Sequence, residues 1–68
     1  MAERLANRLK DERARLGWTQ AELATRVGVS RKTINTVENG VFVPSTLLAL
    51  KLAAALGRPV EALFALEE

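Results

Sequence analysis

The stretch VSRKTINTVENG, residues 29–40, gathers side chains suited to chemistry with a partner. On a helix with Ile34 and Val37 turned inward, steps of about 100° per residue place Lys32, Asn35, Thr36 and Asn39 on the opposite side. Arg31 and Thr33 fall on the flanks, and every outward residue is polar and none acidic. Arg and Lys can donate to guanine O6 and N7, Asn can pair with an adenine edge, and a Thr methyl can touch a thymine methyl. This face therefore has the chemistry of base reading. The plainer alternative is a solvated helix surface, which normally mixes charge signs and uses Glu, Lys and Ala.

Whether the stretch is a helix is itself a question. Thr33 to Val37 are β-branched or Asn, a mix that favours strands. As a helix they cost about 2–3 kcal/mol relative to alanine. Yet Val29, Ile34 and Val37 do not alternate, Ser30 can cap a helix, and Gly40 can stop one. The spacing predicts a helix opening at Ser30 and ending before Gly40. A merely solvated helix has no reason to accept such poor formers, whereas short, stiff side chains let a backbone approach a groove floor closely. That favours the base-reading face.

The elements around it follow from punctuation. Gly17, Gly28, Gly40 and Gly57 each close a helix-like segment. A first helix is expected from Ala2 to Leu16, with Leu5, Leu9 and Leu16 on one face. The second opens at TQAE, where Thr19 caps and Glu22 reaches back, and ends near Val27. The fourth begins at Ser45 after Pro44 and runs to Leu56. The fifth opens at Pro59, with VEALFAL supplying its apolar side. No segment shows a strand pattern, and there is no internal repeat. The reading is all-α: one compact five-helix domain over residues 1–68.

Composition narrows the function. With no Cys and no His in 68 residues, disulfides, a zinc site and thiol or imidazole nucleophiles are absent. The acids are scattered, with no glycine-rich phosphate loop or paired carboxylates, so neither an enzyme nor a cofactor or metal is expected. Neither a secretory signal nor a span of about 20 apolar residues is present, so an intracellular, cytoplasmic protein without membrane contact is expected. Residues 1–32 carry eight Lys/Arg against four Asp/Glu, and the remainder two against four. The positive field of the N-terminal half suits an anionic partner.

The second and third helices are joined by only GVS, a short turn containing Gly, as in a helix-turn-helix. WTQAELATRVGVSRKTINTVENG resembles the helix-turn-helix core of the Cro/repressor (XRE) class of bacterial and phage DNA-binding proteins, and the likeness continues through PSTLLALKLAAALG and VEALF. The resemblance implies a lambda-repressor-like fold whose third helix enters the major groove with its N-terminal half, and the helical wheel makes Arg31, Lys32, Thr33, Asn35 and Thr36 the candidates for reading bases. The resemblance also implies a phosphate contact at Gln20, in the first turn of the second helix where free amides and the dipole favour an anion. Thr19 could share that role or serve as a cap only. Asn39 and the loop GVFVP lie where the class makes further backbone contacts. This loop has no Lys or Arg between Asn39 and Lys51, so its amides would have to supply them.

Arg13 and Glu38 fall on or beside apolar faces, where a charge should be paired. The class commonly joins these positions by a buried ion pair, which implies Arg13 with Glu38; Glu12 is a competing partner. Trp18 is expected to plug the junction of the first two helices.

Such domains usually pair to bind half-sites about 34 Å apart. On the fourth helix Leu48, Leu52 and Leu56 form one apolar stripe, and Leu47, Leu50 and Ala54 a second. With Phe64 and Leu66 this second stripe suggests a homodimer surface; alternatively the helix is central in a tiny domain and buried on most sides. The expected function is a sequence-specific transcriptional regulator, a repressor, acting as a homodimer on a palindromic operator in double-stranded DNA, with no small-molecule ligand. The alternative is an antitoxin-like or other protein-interaction module on the same fold.

Overall fold

A computed structural model describes residues 4–67. In chain order the elements are β1 (Arg4–Asn7), α1 (Leu9–Leu16), α2 (Gln20–Val27), α3 (Arg31–Glu38), α4 (Thr46–Leu56), α5 (Val60–Leu63) and β2 (Phe64–Glu67). Five helices surround one apolar core in which Leu9, Leu23, Ile34, Leu52 and Leu63 are fully enclosed.

Three of the helices start where a hydroxyl can cap them. Thr19 forms a complete capping box with Glu22, and the Ser30 and Ser45 side chains accept from the amides of Thr33 and Leu48. Gly28 ends α2 at φ 75°. Its amide donates to Thr25, and that of Val29 donates to Ala24, the paired closure of a left-handed C-cap. This turn is what sets α3 across α2.

The chain ends depart from the helical expectation. Residues 4–7, expected within the first helix, form a strand, and the tail expected to prolong the fifth helix leaves helical geometry after Leu63. The two strands pair antiparallel, Arg4 with Glu67 through Asn7 with Phe64, and Arg8 extends the ladder by donating to the Leu63 carbonyl at 2.9 Å. The expected helix start at Ala2 lies outside the described residues. Local propensity favoured the helix, but pairing satisfies the backbone of both ends at once and folds Leu5 and Phe64 over the core. Asn7 marks the break: its Oδ1 accepts from the Leu9 amide at 3.2 Å.

The two stripes of α4 part company. Leu48, Leu52 and Leu56 are buried, whereas Leu47 and Leu50 stand 64% and 56% exposed and Ala54 is exposed beside them. The helix is thus buried on one side only. Phe64, assigned to the surface from sequence, is instead a core residue; its partner position in the ladder is Asn7, at the core end of the sheet, while Leu66 lies toward the open end and is exposed. Among the described residues no helix is long and apolar enough to cross a membrane.

Candidate nucleic-acid interface

The outward face of α3 is built by one inward anchor line. Ile34 and Val37 are buried, and fully burying such side chains contributes about 1.5–3 kcal/mol each, enough to offset the poor propensity of the helix. The remaining positions are left to face away: Arg31, Lys32, Asn35 and Asn39 are exposed, Thr33 and Thr36 partly so.

A polar node behind that face fixes the angle of α3. Arg13 donates from Nε to Glu38 Oε2 at 2.6 Å and from Nη2 to Oε1 at 3.0 Å, with a third bond from Nη1 to the Trp18 carbonyl at 2.9 Å. The Glu38 hydrogen bond holds the Arg13 pKa above its ordinary value, burial opposing it. Glu38 Oε1 accepts a second bond, from Gln20 Nε2 at 3.1 Å. Side chains from α1 and α2 therefore converge on the last residue of α3. Glu12 does not compete for Arg13. It accepts from Arg15 and Arg58, whose hydrogen bonds draw its pKa below the usual carboxylate value. Trp18 is half-buried between α1 and α2, with the Arg26 guanidinium 4.0 Å from its ring centroid.

The polar residues of the face are themselves ordered. Gln20 Nε2 also donates to Asn35 Oδ1 at 3.1 Å, and Asn39 Nδ2 donates to the same oxygen at 3.3 Å. Both lone pairs of Asn35 Oδ1 are thereby engaged, which leaves its Nδ2 as the side chain's remaining hydrogen-bonding group. The Thr36 hydroxyl donates to the Thr33 carbonyl at 2.9 Å, and the Ser30 and Thr33 hydroxyls lie 2.9 Å apart. In the capping box the Thr19 amide donates to Glu22 and its hydroxyl oxygen accepts from the Glu22 amide, which leaves the hydroxyl's own hydrogen for another acceptor.

One contributor escaped sequence reasoning. Asn7 Nδ2 donates to the carbonyls of Val37 and Glu38, at 3.0 and 3.3 Å, closing the end of α3 from the sheet. Its only sequence signal was an Asn inside an otherwise good helix pattern. The loop after α3 departs from its expected use: the Gly40 amide donates to Val37, and those of Val41 and Phe42 both donate to Thr36. These three amides, expected to meet phosphate, are already used.

Comparisons with known proteins agree with this fold. A family model described as helix-turn-helix matches residues 9–63. An HTH-type transcriptional regulator, YgzD, of Bacillus subtilis (strain 168) is 45% identical over 64 residues, 94% of this chain and 97% of the relative. The antitoxin HipB of Escherichia coli O6:H1 is 47% identical over 52 residues, 76% of this chain and 55% of its own length. Among solved structures, the restriction-modification controller protein C.AhdI from Aeromonas hydrophila superposes with a TM-score of 0.75 at 33% identity, covering 79% of this chain and 82% of that one. A two-helix unit with its turn, held by the expected caps and matched across most of the chain, makes this protein a member of the Cro/repressor (XRE) type of the helix-turn-helix family.

Proposed function

We propose that the chain is a sequence-specific DNA-binding transcriptional regulator, acting as a repressor, whose α3 reads the major groove of an operator. The observation that carries this is the acid-free outward face of α3, Arg31, Lys32, Thr33, Asn35 and Thr36, presented by a helix whose own propensity argues against it. Arg31 and Lys32 are donors suited to guanine O6 and N7. Gln20, Thr19 and Asn39 border the face and are the phosphate contacts; Gln20 makes its contact by exchanging Asn35 for a phosphate oxygen, which frees Asn35 to turn to a base.

The active unit is a homodimer on a palindromic site. Support comes from the exposed stripe Leu47, Leu50 and Ala54 with Leu66, beside an apolar groove of about 480 Å³ walled by Leu5, Ala49, Leu50, Val60 and Phe64. The similarity to the antitoxin HipB favours a second reading, in which this same surface binds a different protein.

Selection of bound DNA from a random pool tests both. The expected product is a palindrome with guanine in each half-site. The Lys32→Ala/Thr36→Ala double variant should lose at least about tenfold in affinity for it, since a good base contact contributes about 1–3 kcal/mol. Affinity should fall with salt by about 0.9 in log K per phosphate contact per decade. A variant that bound as well as wild type would remove the reading face; an asymmetric site bound by a monomer would remove the dimer.

A further inference from the structure

The loop Gly40–Val43 sits beside the proposed reading face, yet it is built for something other than phosphate. It carries no cation, and the amides of Gly40, Val41 and Phe42 all donate within the protein. Instead it exposes Val41 and Phe42, which are 78% and 49% accessible. These two side chains and the residues Lys32, Thr33 and Thr36 of α3 line one cleft of about 320 Å³, mostly apolar. The Thr36 hydroxyl donates its hydrogen to the Thr33 carbonyl and so has none to offer a base, in a cleft whose lining is mostly apolar. Both loop amides that fix the cleft bond to the Thr36 carbonyl, at 3.0 and 3.2 Å, so loop and helix move as one piece.

We propose that this cleft receives the C5-methyl group of a thymine in each operator half-site, with Phe42 and Val41 as its outer wall and Thr36 as its inner one. The proposal rests on the reading of α3 as the base-reading helix. In the major groove the thymine methyl is the one apolar group that a base edge presents. The Lys32 ammonium at the cleft's rim, with no acid lining it, favours an anionic occupant such as DNA and disfavours a second copy of the same basic face. Phe42 is thus a specificity-determining residue carried by a loop, outside the helix that holds the hydrogen-bonding residues.

Single replacement of each operator thymine by deoxyuridine removes only the methyl and leaves the protein untouched. One position per half-site should lose about fourfold in affinity, the equivalent of one buried methyl group. Phe42→Ala should weaken binding to the thymine operator by a similar factor and abolish the thymine-to-uracil difference at that position alone. Phe42→Leu should restore much of it, and thermal melting should show both variants folded. Uniform indifference to uracil overturns the proposal, and so does a uracil penalty that Phe42→Ala leaves unchanged. The Lys32→Ala/Thr36→Ala variant separates the two levels. If it loses the operator while wild type ignores uracil, only the methyl cleft fails; if it binds normally, the reading of α3 fails as well.

Discussion

Helices α3 and α4 lie side by side in the chain and are held in opposite ways. α4, TLLALKLAAAL, is made almost wholly of good helix formers and keeps its buried leucines on one side and bare leucines on the other. α3, RKTINTVE, is made of poor ones and is helical because its surroundings require it: a Ser30 cap, two buried anchors, Asn7 at its end and Glu38 gripped by Arg13 and Gln20. In α4 composition itself serves stability; in α3, the helix proposed to read bases, stability is supplied from outside the helix.

The partly buried Arg13–Glu38 ion pair joins α1 to the end of α3, so removing it should separate the two helices most. Glu38→Ala leaves the Arg13 guanidinium, whose side chain is only 13% accessible, without its partner. Removal of one member of a fully buried pair costs about 3 kcal/mol or more, and for this partly buried one about 2 kcal/mol is expected. For a domain of this size that lowers the melting temperature on the order of 15 °C, readable by circular dichroism. A loss below about 1 kcal/mol would mean that α3 is held by its packing alone, as α4 is.

The caps allow a finer test, because Ser30 and Ser45 make the same bond at the same length, 3.1 Å. Ser30→Ala and Ser45→Ala should each cost about 1 kcal/mol in a thermal or urea melt. Only Ser30→Ala should also weaken operator binding, since it removes the hydroxyl beside Thr33. Equal effects on binding would erase the distinction between the helices.

What could be read from sequence divides along the same line. The caps, the stops and the inward spacing of α2 to α4 are local signals, and the structure follows them nearly residue for residue. The strands were illegible because their cause is not local: Arg4–Asn7 is extended only because Phe64–Glu67 lies against it. That same pairing took Phe64 into the core. Within the candidate site, the types on the outward face were legible from a helical wheel. The bonds joining Gln20 to Asn35 and Glu38 were not, because they depend on how α2 crosses α3. The used-up loop amides were hidden too, since which carbonyl each meets, that of Val37 or of Thr36, depends on the path the loop takes.

The smallest effect concerns the far end of α4, which is tied by an exposed cluster where α3 is tied by a partly buried one. Glu12 accepts from Arg15 at 2.8 Å and Arg58 at 3.1 Å, and Arg15 donates onward to the Leu56 carbonyl at 2.9 Å. These bonds, that of Arg15 first, lower the Glu12 pKa in the folded protein. A depressed carboxylate stabilises the fold above its ordinary pKa, and the contribution is lost as pH falls through the folded value. Glu12→Gln should therefore melt slightly below wild type at neutral pH and converge on it in acid, and added salt should shrink the gap because the cluster is open to solvent. A difference that persisted unchanged into acid would show that Glu12 acts through packing and not charge.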